Sequence, residues 1–186
     1  VMYLIFADVD LVGREVERKL LQEAFRRTRE DRKSILVLIE GQGGIGKSAL
    51  MDNFLKANDG KSVLWGRGKF DDGATEVFSA IKECVVQLIG KLLLEEGWKQ
   101  KLMEELTESD IRALATLVPA IRKEVPDDES VVTARGIDRA GNQYGFQRLR
   151  VALRSLLRIV CKNHVAVLFI DDLQWADSDS LQLLLD

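Results

Sequence analysis

The run "ILVLIEGQGGIGKSAL", Ile35 to Leu50, limits what this chain can fold into more than any other stretch of it. Ile35 to Glu40 is a short, continuous apolar run rich in β-branched residues, which predicts a strand buried on both faces of a parallel sheet. Ala49 to about Ala57 predicts a helix. Between them Gly41, Gly46, Lys47 and Ser48 satisfy G-x-x-x-x-G-K-[ST] in full, a match expected by chance on the order of one percent of the time in a chain of this length. A glycine loop leading from a strand into a helix start turns consecutive backbone N–H groups and the positive end of the helix dipole toward one point, which is a cradle for a phosphate group. Gly41, Gly43, Gly44 and Gly46 permit the tight turn and a close approach of backbone to an anion. Lys47 is placed to meet β- and γ-phosphates as a mobile cation, and the Ser48 hydroxyl to complete a magnesium shell. The competing reading is a glycine-rich turn capped by Ser48.

The second constraint is "AVLFIDDLQWAD", Ala166 to Asp177, an apolar strand pattern that ends in two adjacent carboxylates. Like charges at the rim of a low-dielectric core are unfavourable unless a cation pairs with them. Alone, the pair also fits an acidic turn after a strand. Beside a phosphate loop it gains a chemical reason: Asp171 is expected on the magnesium side and Asp172 toward an attacking water.

Between these two anchors the chain is mostly helical in pattern. Val16, Leu20, Leu21, Ala24 and Phe25 predict an amphipathic helix over about 14–29. "SVLWGRGKF" is a second strand candidate, weakened by Gly66 and Gly68. From Glu76 to Leu94, Val77, Ile81, Val85, Leu88, Ile89 and Leu92 share one helical face, and less regular helix continues to about Leu117. Pro119, Pro126 and "DDES" mark an irregular loop over about 119–142. A helix over 143–162 then faces Phe146, Leu149, Leu153, Leu156, Leu157 and Val160 inward, with Arg148, Arg150, Arg154 and Arg158 read as a solvated face rather than a binding stripe.

Composition adds exclusions. At 186 residues and a formal net charge of −3, the chain can build one real core and has no general attraction for nucleic acid or anionic membrane. The opening "VMYLIFA" is much shorter than the roughly 20 apolar residues of a membrane span. Cys84 and Cys161 lie in apolar helical patterns and read as buried free thiols, and His164 as a solvated or capped histidine. A cytoplasmic, soluble protein is the expectation, and the unfinished helix pattern at "SLQLLLD" suggests a piece of a longer chain.

Three segments together resemble the AAA-type ATPase domains of STAND signalling NTPases, which are similar to origin-recognition ATPases: "LVGREVERKLL", "LIEGQGGIGKSAL" and "VLFIDDLQWADSDSLQLL". The resemblance implies an α/β P-loop NTPase fold, a three-layer sandwich with a mostly parallel sheet, here with a helical insertion before the acidic motif and incomplete at the C-terminal end. Segments 10–30, 34–70, 71–162 and 163–186 become the adenine-region helix, the P-loop unit with a second strand, the helical region, and the acidic strand with its following helix. It implies ATP or ADP with Mg²⁺, a base-binding region at Val12, Gly13 and Arg14, and nucleotide contacts from Gly41, Gly43, Gly44, Ile45, Gly46, Lys47, Ser48 and Ala49. It further implies that Ser48 and Asp171 serve the metal, and that Lys47 and Asp172 act in hydrolysis. A strand expected between the P-loop strand and the acidic strand falls beyond Asp186, as do the sensor residue, arginine finger and helical lid. Partners implied are the nucleotide, other domains of one long chain, and nucleotide-dependent self-association.

Two functions stay open on these residues: a regulatory ATPase with slow turnover, and a nucleotide-dependent switch or scaffold with little or none. No Asn-Lys-x-Asp sequence supports a GTPase, and a small-molecule kinase gives no reason for "DDLQWAD".

Overall fold

A computed structural model describes residues 13–60, 62–73, 76–122 and 143–185. The chain divides into two compact units, Val1–Lys61 and Ser62–Asp186.

In the first unit, α1 (Glu15–Asp31) and α2 (Lys47–Asn58) flank the glycine loop. Leu21 and Phe25 of α1 and Leu50, Met51, Phe54 and Leu55 of α2 are buried at i, i+4 spacing. The Phe25 and Phe54 rings meet edge to face, with centroids 5.6 Å apart. Val16 and Leu20, expected on the buried face, are 69% and 65% exposed. A helix packed on one neighbouring helix covers a narrow stripe, and these two residues lie outside it.

The segment Ile35–Glu40 corrects a second expectation. It is not a strand, and Leu36 and Leu38 are 70% and 65% exposed. A strand exists only through hydrogen bonds to a neighbour, and among the described residues this segment has no strand beside it.

The second unit is built on two parallel strands, β1 (Val63–Lys69) and β2 (Val165–Asp171), in register from Val63 opposite Val165 to Lys69 opposite Asp171. The glycines thought to weaken β1 instead admit the helix α3 (Ser79–Leu92). A Cβ at Gly66 would lie 2.2 Å from the Cys84 carbonyl oxygen, and one at Gly68 1.9 Å from that of Ala80. Side chains of α3 also satisfy the backbone of β1. The Arg67 N–H donates to Gln87 Oε1 (3.1 Å), the Gln87 amide donates to the Arg67 carbonyl (2.6 Å), and the Lys69 N–H donates to Glu83 Oε2 (3.2 Å). Such side-chain pairing occupies backbone groups that would otherwise template another strand.

Around this sheet the helical region resolves into α3, α4 (Trp98–Glu105), α5 (Glu108–Ala115), α6 (Pro119–Arg122) and α7 (Gln143–Val160) among the described residues. Residues 119–122, expected within a loop, are helical; 123–142 lie outside the described residues. Thr107 and Asp110 form a capping box at the start of α5. Leu149, Ala152, Leu153, Leu156, Ile159 and Val160 of α7 enter one core with Leu88, Ile89 and Leu92 of α3 and Leu102 of α4. Arg148, Arg154 and Arg158 are exposed on the opposite face and Arg150 is half-buried.

Val77, expected inward, is 37% exposed because α3 starts two residues later. His164 is buried rather than solvated: its ring lies 5.2 Å from that of Trp98, and its Nε2 is 3.4 Å from Glu95 Oε2. Cys84 is buried as expected, whereas Cys161 is exposed, since α7 ends at Val160 and the following turn points the thiol outward. No helix among the described residues is long and apolar enough to cross a membrane.

Candidate functional site

The glycine loop is shaped by its own backbone. Gly44 and Gly46 have φ of 76° and 92°, a region that a side chain at Cβ disfavours, so both positions call for glycine. Gly46 is the residue before α2 and, having no side chain, gives the helix no side-chain cap. An added Cβ at Gly43, Gly44 or Gly46 would meet no atom within 4 Å. The Lys47 ammonium folds back over the loop and donates to the carbonyls of Gly41 (2.9 Å) and Gln42 (3.1 Å). Ser48 and Ala49 follow in the first turn of α2.

Arg14 reaches the same loop. Its guanidinium donates to the Ile45 carbonyl at 2.9 Å and to Glu17 Oε1 at 2.8 Å. That hydrogen bond is the largest of the effects holding the Glu17 carboxyl below its usual range. Gly13 and Arg14 both have left-handed backbone, φ 80° and 64°, at the entry to α1. Within the first unit Arg14, expected with Gly13 in a base-binding region, makes its contact with the glycine loop instead; Val12 lies outside the described residues.

The acid pair belongs to the second unit. Asp171 ends β2, and its Oδ1 accepts the N–H of Asp172 at 3.0 Å. Asp172 has left-handed backbone, φ 54° and ψ 44°, and opens a short 3-10 turn, Leu173–Trp175, with its carbonyl accepting the Trp175 N–H. Its carboxylate accepts from the Gln174 side-chain amide at 3.1 Å. The cation that an adjacent carboxylate pair calls for comes from β1: Arg67 Nη2 is 3.8 Å from Asp171 Oδ2, and Lys69 Nζ is 3.3 Å from Asp172 Oδ2. Sequence reasoning missed both residues. The signal was there in the strand candidate "WGRGKF", whose parallel pairing with "VLFIDD" sets basic and acidic ends side by side.

Asp177, in the motif's Trp-Ala-Asp, is a helix cap. Its carboxylate accepts from the Ser180 N–H (2.8 Å) and hydroxyl (2.6 Å) at the start of α8 (Ser178–Leu185). It also accepts from the N–H of Phe78 at 3.4 Å, a buried residue of left-handed backbone (φ 64°) that opens α3. Trp175 is 48% exposed.

The Ser48 hydroxyl belongs to the first unit and the Asp171 carboxylate to the second, and each by itself is an oxygen donor of the type that magnesium takes. Among the described residues there is no cluster of three or more His, Cys, Asp or Glu side chains arranged to hold a metal by themselves.

A family model of the AAA ATPase domain matches residues 10–186, and the chain belongs to that family. Membership makes this a nucleotide-binding domain of the P-loop fold, and the parallel sheet with its helices agrees with an α/β architecture. The chain is also similar to "Histidine protein kinase 1" of Candida albicans, at 23% identity over 167 residues, covering 81% of this chain and 7% of that protein. It therefore spans a small fraction of the length of this relative. No solved structure gave a significant match.

Proposed function

We propose that this chain is the ATP-binding regulatory domain of a larger multidomain signalling protein, a slow ATPase of the STAND type that works in the cytoplasm. The observation that carries the nucleotide reading is the open start of α2: two left-handed glycines and an uncapped helix N-terminus, with Lys47 lying across the loop. In this reading the N–H groups of Gly43 through Ala49 and the Lys47 ammonium hold the phosphates, and the Gly13–Arg14 element lies beside the base. Ser48 and Asp171 would hold a magnesium ion, whose part when bound is to neutralise charge on the transferring phosphoryl oxygens. Asp172 would orient and deprotonate the attacking water. The place within a signalling protein rests on the small share of the kinase relative that the chain covers. Other domains of that protein are the expected partners, with self-association controlled by nucleotide.

Lys47→Ala removes a charge-assisted contact to phosphate, and ATP·Mg²⁺ affinity measured by calorimetry should fall by about ten- to a hundredfold. Equal affinity for parent and variant would end the phosphate-cradle reading. Asp172→Asn should keep affinity and reduce the single-turnover rate by roughly 10²-fold or more.

One observation favours the second reading, a switch with little or no turnover. Asp172 is short for a general base and is ion-paired with Lys69. A single-turnover rate for the parent no faster than that of Asp172→Asn would decide for the switch.

A further inference from the structure

β1 has two chemically distinct faces at its C-terminal end. Alternate residues point to opposite sides of a strand. Gly66 and Gly68 give one side to the backbone of α3, and Arg67 and Lys69 carry the other chemistry. The register fixes Lys69 opposite Asp171, while Glu83 and Gln87 hold the backbone from which both cations project. Arg67 is further seated over the Phe169 ring, 5.2 Å from its centroid. Arg67 lies 3.8 Å from Asp171, and Lys69 lies 3.3 Å from Asp172 and 3.9 Å from Asp71. The Asp171 carboxylate is the most enclosed of these groups, at 18% exposure.

Two neighbouring carboxylates with no counter-charge would attract a divalent cation from solution. Here each carboxylate already has a cation of the protein beside it. A metal ion arriving alone must displace those cations and supplies no ligands in exchange. A metal ion arriving with a nucleotide brings phosphate oxygens that fill most of its shell. We infer that Arg67 and Lys69 are resident counter-ions of the Asp171–Asp172 pair, which keep it from taking up divalent metal until nucleotide is present. They are positioning residues, acting through the carboxylates. The inference rests on Asp171 being the metal-side carboxylate.

The probe is Mn²⁺ alone, with free and bound ion separated by electron paramagnetic resonance on the intact protein without nucleotide. Arg67→Gln with Lys69→Gln should tighten Mn²⁺ binding by about tenfold, from the loss of two partly exposed ion pairs. Lys69→Arg keeps the charge and should match the parent within about twofold. With ADP added, parent and double variant should converge, since the metal then arrives with its own ligands. Lys69→Gln alone changes an exposed side chain and keeps the fold available for measurement; it should tighten Mn²⁺ binding by about threefold. Nucleotide-free Mn²⁺ affinity equal to the parent's in Lys69→Gln, or in a cooperatively melting double variant, overturns the counter-ion role. The reading of Asp171 fails separately, if Asp171→Asn leaves the Mg²⁺ dependence of ATP affinity unchanged.

Discussion

The glycine loop and the acid pair are held in place by different kinds of order. The loop is organised by residues close to it in sequence: two left-handed glycines, the Lys47 side chain bonded to carbonyls five and six residues back, and Arg14 bonded to Ile45. The acid pair is organised across the chain, by the register of β2 on β1 and by the fit of α3 against two glycines. A local device needs little core, and the loop sits among exposed residues. A register needs a packed frame, and β1 is backed by α3, whose Ile81, Val85, Leu88, Ile89 and Leu92 are buried in the core. Glycine should therefore be required for different reasons in the two places. In the loop it supplies left-handed backbone angles; in β1 it supplies room for a helix.

Gly68→Ala tests this most severely. Its Cβ would lie 1.9 Å from the Ala80 carbonyl oxygen and 2.6 Å from that carbonyl carbon, so α3 must move off the sheet. A loss of about 3 kcal/mol or more in chemical denaturation is expected. Gly43→Ala, with no atom within 4 Å of its Cβ, should stay within about 0.5 kcal/mol. Similar losses for the two variants would break the contrast.

Asp177→Ala comes next. Removing a helix cap that accepts from both the Ser180 N–H and hydroxyl should lower stability by about 1–2 kcal/mol. Asp177→Asn keeps an acceptor and should recover much of that loss. Nucleotide affinity should be unchanged in both, because Asp177 serves the frame of the acidic motif. A reduced affinity at unchanged stability would instead make Asp177 part of the site.

The effect of Arg14→Ala is smaller. One charge-assisted bond to the Ile45 carbonyl, from a side chain 36% exposed, steadies a loop that already has its own glycine geometry. ATP affinity should fall by about threefold, with the maximal rate unchanged. A loss as large as that of Lys47→Ala would show that the loop depends on α1 for its shape.

The same division explains what the sequence revealed in advance. The glycine loop and the acidic motif are legible because residue type and spacing alone specify them: a left-handed turn wants glycine, and an apolar run ending in carboxylates marks a strand end. The fate of Ile35–Glu40 is not legible, because an apolar run becomes a strand only beside another strand. Arg67 and Lys69 escaped notice for a related reason, since their partners are set by a register between segments far apart in the chain. Gly66 and Gly68 were read by the rule that glycine weakens a strand, and the stronger rule here is that glycine admits a close neighbour. His164 shows the limit of residue-type averages: a histidine before a strand was expected to be solvated or capped, and it is buried against the Trp98 ring with its Nε2 3.4 Å from Glu95 Oε2.

The last test concerns the two thiols, which the sequence treated alike. Cys84 is fully buried under the sheet, donates to the Phe169 carbonyl at 3.5 Å, and has its pKa pushed from 9.0 up to about 12, mainly by burial and then by the charge of Glu83. Alkylating reagents attack the thiolate. At pH 8 the raised pKa alone should slow Cys84 about a thousandfold relative to the same thiol at its ordinary value, and burial blocks the reagent as well. Cys161, exposed after the end of α7, should react freely. The stability consequence has a definite sign. A folded-state pKa above the unfolded value favours the fold fully below about pH 9, and this contribution fades as pH rises from there through about 12. Melting followed over that window should show a decline that Cys84→Ala lacks. Mass spectrometry of the native chain after brief alkylation should find Cys161 modified and Cys84 intact, and equal labelling of both would mean that α3 does not seal against β1 in solution.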